Sequence, residues 1–273
     1  MNAEHRGTCL SWTTRNAVLE VALHHAPCNE IGTGLLVELK QLVKAIKQKS
    51  TPIRAMLLFS QLESGFCAGA DLRELYAKRM ERKHSGIRPE ESVRELRAFL
   101  DDVHETFDEL DRLPFVTIAA VHGPVFGGGL ELALVCDVII ADASARFCFP
   151  ELRLGLVPGF GGIPRLRRDI GNAIIRDLMF TGRSLNAQRA YELGLVSQRV
   201  KKGEAMAAAK ALVAQVSRFD QATVAAAKAF VKPLPHEELA QEKALFCELF
   251  LSPTVEKALA DFVTRKDLRS YLP

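Results

Sequence analysis

Apolar residues along this chain keep two rhythms, and the alternation between them lays out the expected elements. Val18–Leu23 (VLEVAL), Ala55–Ser60 (AMLLFS) and residues 115–121 (FVTIAAV) are short apolar runs of strand length. Runs too short for a stable helix and nearly free of charge predict buried strands. Residues 34–47 instead place Leu35, Leu39, Leu42, Val43 and Ile46 at helical intervals. Residues 90–113 do the same with Val93, Leu96, Leu100, Val103, Phe107 and Leu110. Asp71 is placed to cap a further helix, since its side-chain oxygen can accept the free N–H groups of a first turn. A polar connector rich in Lys and Arg, residues 77–89, follows it.

Strand 115–121 runs into a glycine run, then a helix expected over 128–136; short strands are expected over 138–141 and 146–149. Beyond Gly162 the spacing is helical almost to the end. Strands mixed with helices and then helices alone predict an α/β core with a helical C-terminal region. The division falls where VSQRV meets KKGE, giving a core of residues 1–200 and a helical region of residues 201–273.

Composition narrows the partners. A chain of 273 residues, 48% apolar and 25% charged, is globular. A net charge of +3 is too small for a nucleic-acid surface but suits an anionic small molecule. Cys9, Cys28, Cys67, Cys136, Cys148 and Cys247 form no C-x-x-C pair, and predict buried, reduced thiols. The histidines lack metal-ligand spacing, so no metal is expected. No apolar run reaches the roughly 18 residues that cross a bilayer, and the first ten residues lack an apolar signal core. A soluble, cytoplasmic protein with no membrane partner is expected.

Three loops could carry chemistry. In VTIAAVHGPVFGGGLE, residues 116–131, a buried strand meets three glycines and a helix start. Glycines let a ligand approach the main chain, and helix-start N–H groups favour negative charge. The pattern completes neither G-x-G-x-x-G nor a P-loop, because Leu132 stands where the third glycine should be and no Gly-Lys-Ser/Thr follows. Glu131 lies three residues after Gly128, on the same helix face, where a carboxylate could act or simply offset the helix dipole. SGFCAGADL, residues 64–72, is a second loop with donors free at a helix start. In FCFPELRLGLVPGFGG, residues 147–162, Glu151 follows a proline in an apolar stretch, as an active group or as half of a buried salt bridge.

Taken in order, GFCAGADL, PFVTIAAVHGPVFGGGLELALVCDVIIA, FCFPELRLGLVPGFGGIPRL and FTGRSLNAQRAYELGLVSQRV resemble the crotonase, or enoyl-CoA hydratase/isomerase, superfamily. The resemblance covers nearly the whole chain. It implies a spiral of ββα units with a helical C-terminal region that mediates assembly, as a dimer of trimers or a homotrimer. It implies an acyl-CoA thioester as substrate, with coenzyme A entering as part of it and no separate cofactor. The N–H groups of Ala70 and Gly128 match the family's oxyanion hole, Glu131 and Glu151 its two catalytic carboxyls, and Gly159 the glycine whose N–H holds water. Asn29, Ala68, Asp71 and Lys266 match coenzyme A contacts. The implied reaction adds water across the 2,3 double bond of an enoyl-CoA, Glu131 activating water and Glu151 exchanging a proton at the α-carbon. Double-bond isomerisation and a non-catalytic RNA-binding or assembly role are the alternatives. Physically, paired N–H donors would stabilise the enolate oxygen, and two carboxyls in one pocket repel, so one can stay protonated while the other ionises.

The sequence departs from that pattern in places. His122 replaces an asparagine, a structural change on our reading, and Glu30 and Ile31 replace Ala and Leu. The connector is longer than the family pattern. With Tyr76, Met80 and Ile87 as its apolar residues, it is expected to form one wall of the acyl pocket.

Overall fold

The apolar runs become the middle of a seven-stranded sheet. In the computed structural model, which describes residues 4–48 and 52–264, the sheet order is β1-β2-β3-β4-β5-β7-β10. These strands are β1 (Glu4–Arg6), β2 (Leu10–Arg15), β3 (Val18–Leu23), β4 (Ala55–Ser60), β5 (Val116–Val121), β7 (Val138–Asp142) and β10 (Gln198–Val200). The first three pair antiparallel, and every later pairing is parallel, with Val18 opposite Ala55 and Ala55 opposite Val116. Helices cover both faces, which is why the central strands are apolar at successive positions. Met56 and Leu58 point into the main core, while Ala55 and Leu57 meet Ala209 and Val213 of a C-terminal helix on the other side.

The helices of the first half are α1 (Thr33–Lys47), α2 (Leu72–His84), α3 (Pro89–Asp111) and α4 (Gly128–Leu134). Those of the second half are α5 (Gly162–Ile170), α6 (Asn172–Thr181), α7 (Ala187–Glu192), α8 (Ala205–Val216), α9 (Gln221–Val231), α10 (His236–Phe250) and α11 (Pro253–Thr264). Helix α8 closes the far face of the sheet with a second apolar cluster, and Phe246, Phe250 and Leu259 of α10 and α11 join the main core. Helix α11 lies against α2, tied by Arg79 to Glu256 at 3.1 Å. Among the described residues no helix is long and apolar enough to cross a membrane.

Two features differ from the sequence reading. The connector is not a loop: α2 runs through His84, and only Ser85–Arg88 separate it from α3. Lys and Arg here hold helix rather than solvate a coil, through Arg82 to Glu95 at 2.8 Å and Lys78 to Glu74 at 2.5 Å. The glycine run is preceded by a strand, β6 (Pro124–Phe126), which pairs parallel with β8 (Arg146–Cys148); β9 (Leu185–Asn186) completes this second, small sheet.

Candidate active site

The small sheet places the candidate residues. Pairing of Phe126 with Cys148 brings the two chain exits side by side, Gly127 after β6 and Pro150-Glu151 after β8. The N–H of Gly127 donates to the Cys148 carbonyl at 3.0 Å. An isolated parallel bridge of Cys67 with Val125, and another of Ile31 with Ala70, draws the 64–70 loop alongside. Gly127 has φ 48°, the left-handed region, and a Cβ there would stand 2.4 Å from Glu151 Oε1. A side chain at Gly129 would strike the Cys67 carbonyl at 2.3 Å. The glycines therefore let three chain segments meet at backbone distance.

Gly128 opens α4 and faces Ala70 across this junction, for a Cβ built on Gly128 would lie 3.3 Å from the Ala70 nitrogen. Neither the Ala70 nor the Gly128 N–H has an acceptor among the described residues. Two free donors side by side at a helix start form a site for developing negative charge on an oxygen.

Glu131, one turn into α4, is 2% exposed. Its Oε1 accepts the N–H groups of Phe160 and Gly162, each at 2.8 Å. Burial raises its carboxyl to about 7 against the restraint of those two donors and of Arg165. Glu151 opens a 3₁₀ turn, Glu151–Leu154, and its Oε2 is buried with no hydrogen-bond partner among the described residues. Burial, and then the charge of Glu131, push it well above the usual carboxylate range. The two carboxyls thus differ in surroundings: Glu131 has two donors from another loop that favour its ionised form, and Glu151 has at most its own N–H, its Oε2 being unpartnered.

Gly159 lies on the loop that these donors come from. The N–H groups of Phe160 and Gly162 go to Glu131, and those of Gly161 and Ile163 go to Glu242 at 2.7 and 2.8 Å. The N–H of Gly159 has no acceptor among the described residues, while its carbonyl is held by His104 Nε2 at 2.8 Å. Glu242 went unnoticed in the sequence. Its signal was a carboxylate on the buried stripe of α10, between Leu239 and Phe246. Arg165, fully buried and paired with Asp111 at 2.8 Å and Asp108 at 2.5 Å, also donates to the Phe160 carbonyl.

A cavity of about 170 Å³ opens from Ala70 and Phe160 between α2, α3 and α10. Leu75, Leu96, Phe99 and Phe246 give it an apolar lining, and the lining cations Lys78, Arg79 and Arg82 pair with Glu74, Glu256 and Glu95. The long connector does line it, but through Lys78, Arg79 and Arg82 rather than the expected Tyr76, Met80 and Ile87. Helix α2 meets the cavity with Leu75, Lys78, Arg79 and Arg82, positions three or four apart on one face.

The remaining expected contacts separate. Asp71 borders the cavity and caps α2, accepting from the N–H of Arg73 and Glu74. Ala68 is half-buried with its N–H spent on the Cys28 carbonyl. Asn29 is wholly buried, its amide bonded to Ser60 and the Phe66 carbonyl and its oxygen to the His25 N–H, so its side chain holds these loops together. Lys266 lies outside the described residues. His122 bonds the Leu62 carbonyl at 2.8 Å, in line with a structural role.

Two buried carboxyls in unlike surroundings beside a pair of free N–H donors are an arrangement suited to acid–base chemistry next to a carbonyl group. The model of the enoyl-CoA hydratase/isomerase family matches residues 13–269. The chain is 34% identical over 220 residues to the enoyl-CoA isomerase/hydratase fer4 of Mycosarcoma maydis, covering 78% of this chain and 76% of that one. It is 35% identical over 176 residues to the mitochondrial methylglutaconyl-CoA hydratase of Rattus norvegicus, covering 64% and 51%. An enoyl-CoA hydratase from Bacillus halodurans superposes with a TM-score of 0.81 at 25% identity, over 92% of this chain and 98% of its own. The chain has the crotonase fold and belongs to the enoyl-CoA hydratase/isomerase family.

Proposed function

We propose that this protein hydrates 2-enoyl-CoA thioesters. The thioester oxygen sits between the N–H groups of Ala70 and Gly128, and a water molecule is held by the N–H of Gly159 and by Glu131. Glu131, ionised, takes a proton as the water oxygen bonds to the β-carbon. The double-bond electrons move onto the thioester oxygen as an enolate, which the two donors stabilise. Glu151, protonated, then gives a proton to the α-carbon, and the pair is reset when Glu131 gives up its proton and Glu151 regains one, directly between them or by exchange with solvent. Water adds overall, and no redox change occurs. Coenzyme A is part of the substrate, and no other cofactor enters these steps.

The observation that carries this reading is the unlike pair itself, a carboxyl held by the N–H groups of Phe160 and Gly162 beside one whose Oε2 is buried without a partner. Isomerisation needs one carboxyl to move a proton between two carbons, and would leave the second without a task. The test is a panel of 2-enoyl-CoAs, scored by loss of the conjugated thioester absorbance, with 3-enoyl-CoAs alongside. Hydration of the 2-enoyl set is expected. Conversion of 3-enoyl to 2-enoyl thioesters with no hydration would replace the reading by the isomerase one.

The cavity between α2 and α3 is read as the acyl site. Cutting back the corner where α2 meets α3, around Ser85–Arg88, should then change the order of preference across the panel more than the affinity for coenzyme A. An unchanged order in a folded variant would make the corner a surface feature. Assembly into three or six copies belongs to the same reading; Phe230 and Val231 on α9, 87% and 71% exposed, are apolar surface that a second copy would cover.

A further inference from the structure

Glu242 is a carboxyl that the steps above do not use, yet it is 6% exposed and reaches from α10 to the loop that the chemistry depends on. A buried carboxyl is costly unless its oxygens are satisfied. Here Oε1 takes the N–H of Gly161 and Oε2 that of Ile163. These alternate along the chain with the N–H groups of Phe160 and Gly162, which both go to Oε1 of Glu131. Four successive N–H groups are thus shared between two carboxyls approaching from α4 and α10. On the carbonyl side, His104 holds Gly159, and Arg165 holds Phe160 and Gly161. Loss of the Glu242 bonds would leave the loop pinned by its carbonyls and by Glu131, with the N–H groups of Gly161 and Ile163 unpaired.

We propose that Glu242 is a positioning residue: by fixing the N–H groups of Gly161 and Ile163 it aims those of Phe160 and Gly162 at Glu131, and so sets how readily Glu131 ionises. The proposal rests on reading Glu131 as the base. The groups that face Glu131 are Glu151 from the 3₁₀ turn, Glu242 from α10, Arg165 from α5 and the Cys67 thiol from the 64–70 loop. His104 from α3 reaches the same loop, and Asp108 and Asp111 from α3 offset Arg165. Two effects of Glu242 on Glu131 therefore oppose each other. Its charge would raise the proton affinity of Glu131, while the donors it aims lower it. Burial and repulsion by Glu131 push Glu242 above the usual carboxylate range, which weakens its charge effect, while both of its oxygens stay bonded to the N–H groups they fix.

The experiment compares Glu242→Leu and Glu242→Gln with the parent. Glutamine keeps one oxygen, hence one of the two N–H bonds, and leucine keeps none. In Glu242→Leu the acid limb of kcat/KM is expected to move to higher pH by about half a unit or more, a threefold change in the ionised fraction of Glu131. The kcat is expected to fall about tenfold or more with KM little changed, as misdirected catalytic groups do. Glu242→Gln should lie between. A residue that only stabilises the fold would lower the melting temperature and the active fraction without moving the acid limb, and that outcome overturns the proposal. A shift to lower pH overturns it too, because Glu242 would then act by charge alone. Where leucine does not fold, the glutamine variant carries the same test. Infrared titration of the carboxyl band that disappears in Glu131→Gln reads the midpoint without turnover. A parent protein that hydrates nothing would thus count against the functional reading, and an unmoved infrared midpoint against the role of Glu242.

Discussion

Glu131→Gln is expected to lower kcat for enoyl-CoA hydration by about 10²–10⁴-fold, the usual range for removing a general base, with KM nearly unchanged. The variant is a clean one. Both N–H donors reach the same oxygen, Oε1, so the glutamine oxygen can accept from Phe160 and Gly162 as the carboxylate does. What is lost is the ability to take a proton. Glu151→Gln should lower kcat comparably, since an amide presents a donor but cannot release a proton to carbon. The pH dependence follows from the two surroundings. With Glu131 at about 7, kcat/KM should rise with pH through that value as the base ionises. It should fall again at higher pH, where Glu151, held well above the usual range, finally loses its proton. Stability should run the other way. A carboxyl whose folded pKa is raised above 4.5 contributes stability that is full below 4.5 and lost as pH rises towards 7, and Glu131→Gln removes that loss. The inactive variant should therefore melt no lower than its parent above pH 7. Full hydratase activity in either glutamine variant, measured on the same thioester panel, would remove the acid–base assignment.

The legible part of this molecule was whatever depends on local pattern. Ala55–Ser60 was readable as a buried strand because both of its faces are covered, leaving an unbroken apolar run. Asp71 was readable as a cap because capping is settled within one turn, and its side chain does accept from Arg73 and Glu74. Where residues from distant segments meet, local pattern is silent. Strand β6 escaped notice because Pro124–Phe126 is short and abuts a glycine run, and only its pairing with β8 makes it a strand. Strand β2 escaped because Leu10–Arg15 mixes Trp and Leu with Ser and Thr, so its alternation was faint. Glu131 and Glu151 could be picked out through a resemblance, but the asymmetry between them could not. That asymmetry comes from N–H groups thirty residues away along the chain in the case of Glu131, at about the 160–162 turn. Glu242 is the sharpest instance: on α10 it breaks the apolar stripe of Leu239, Phe246 and Phe250, and the break is the only mark the sequence carries.

Gly128→Ala is expected to cost about 10²–10³-fold in kcat, the scale of losing one preorganised donor from an oxyanion site. The added methyl group would stand 3.3 Å from the Ala70 nitrogen, crowding the gap between the two N–H groups where the thioester oxygen is placed. It would also stand 2.9 Å from two carbons of the Phe160 ring, so that ring must shift. Phe160 packs edge-on against Phe99 and Phe107, with centroids 6.3 and 6.1 Å apart, and its shift would be felt in the cavity. A loss of activity in Gly128→Ala alone therefore has two physical sources. Phe160→Leu separates them, because the smaller side chain leaves room for the methyl group while the N–H pair stays crowded. If blocking the donors is the cause, Gly128→Ala in the Phe160→Leu background loses the same factor, relative to Phe160→Leu, as it does in the parent. If displacement of the ring is the cause, the double variant regains most of the activity and the two substitutions are strongly non-additive. Recovery of that kind would make Gly128 a packing residue and leave Ala70 without its partner in the oxyanion site.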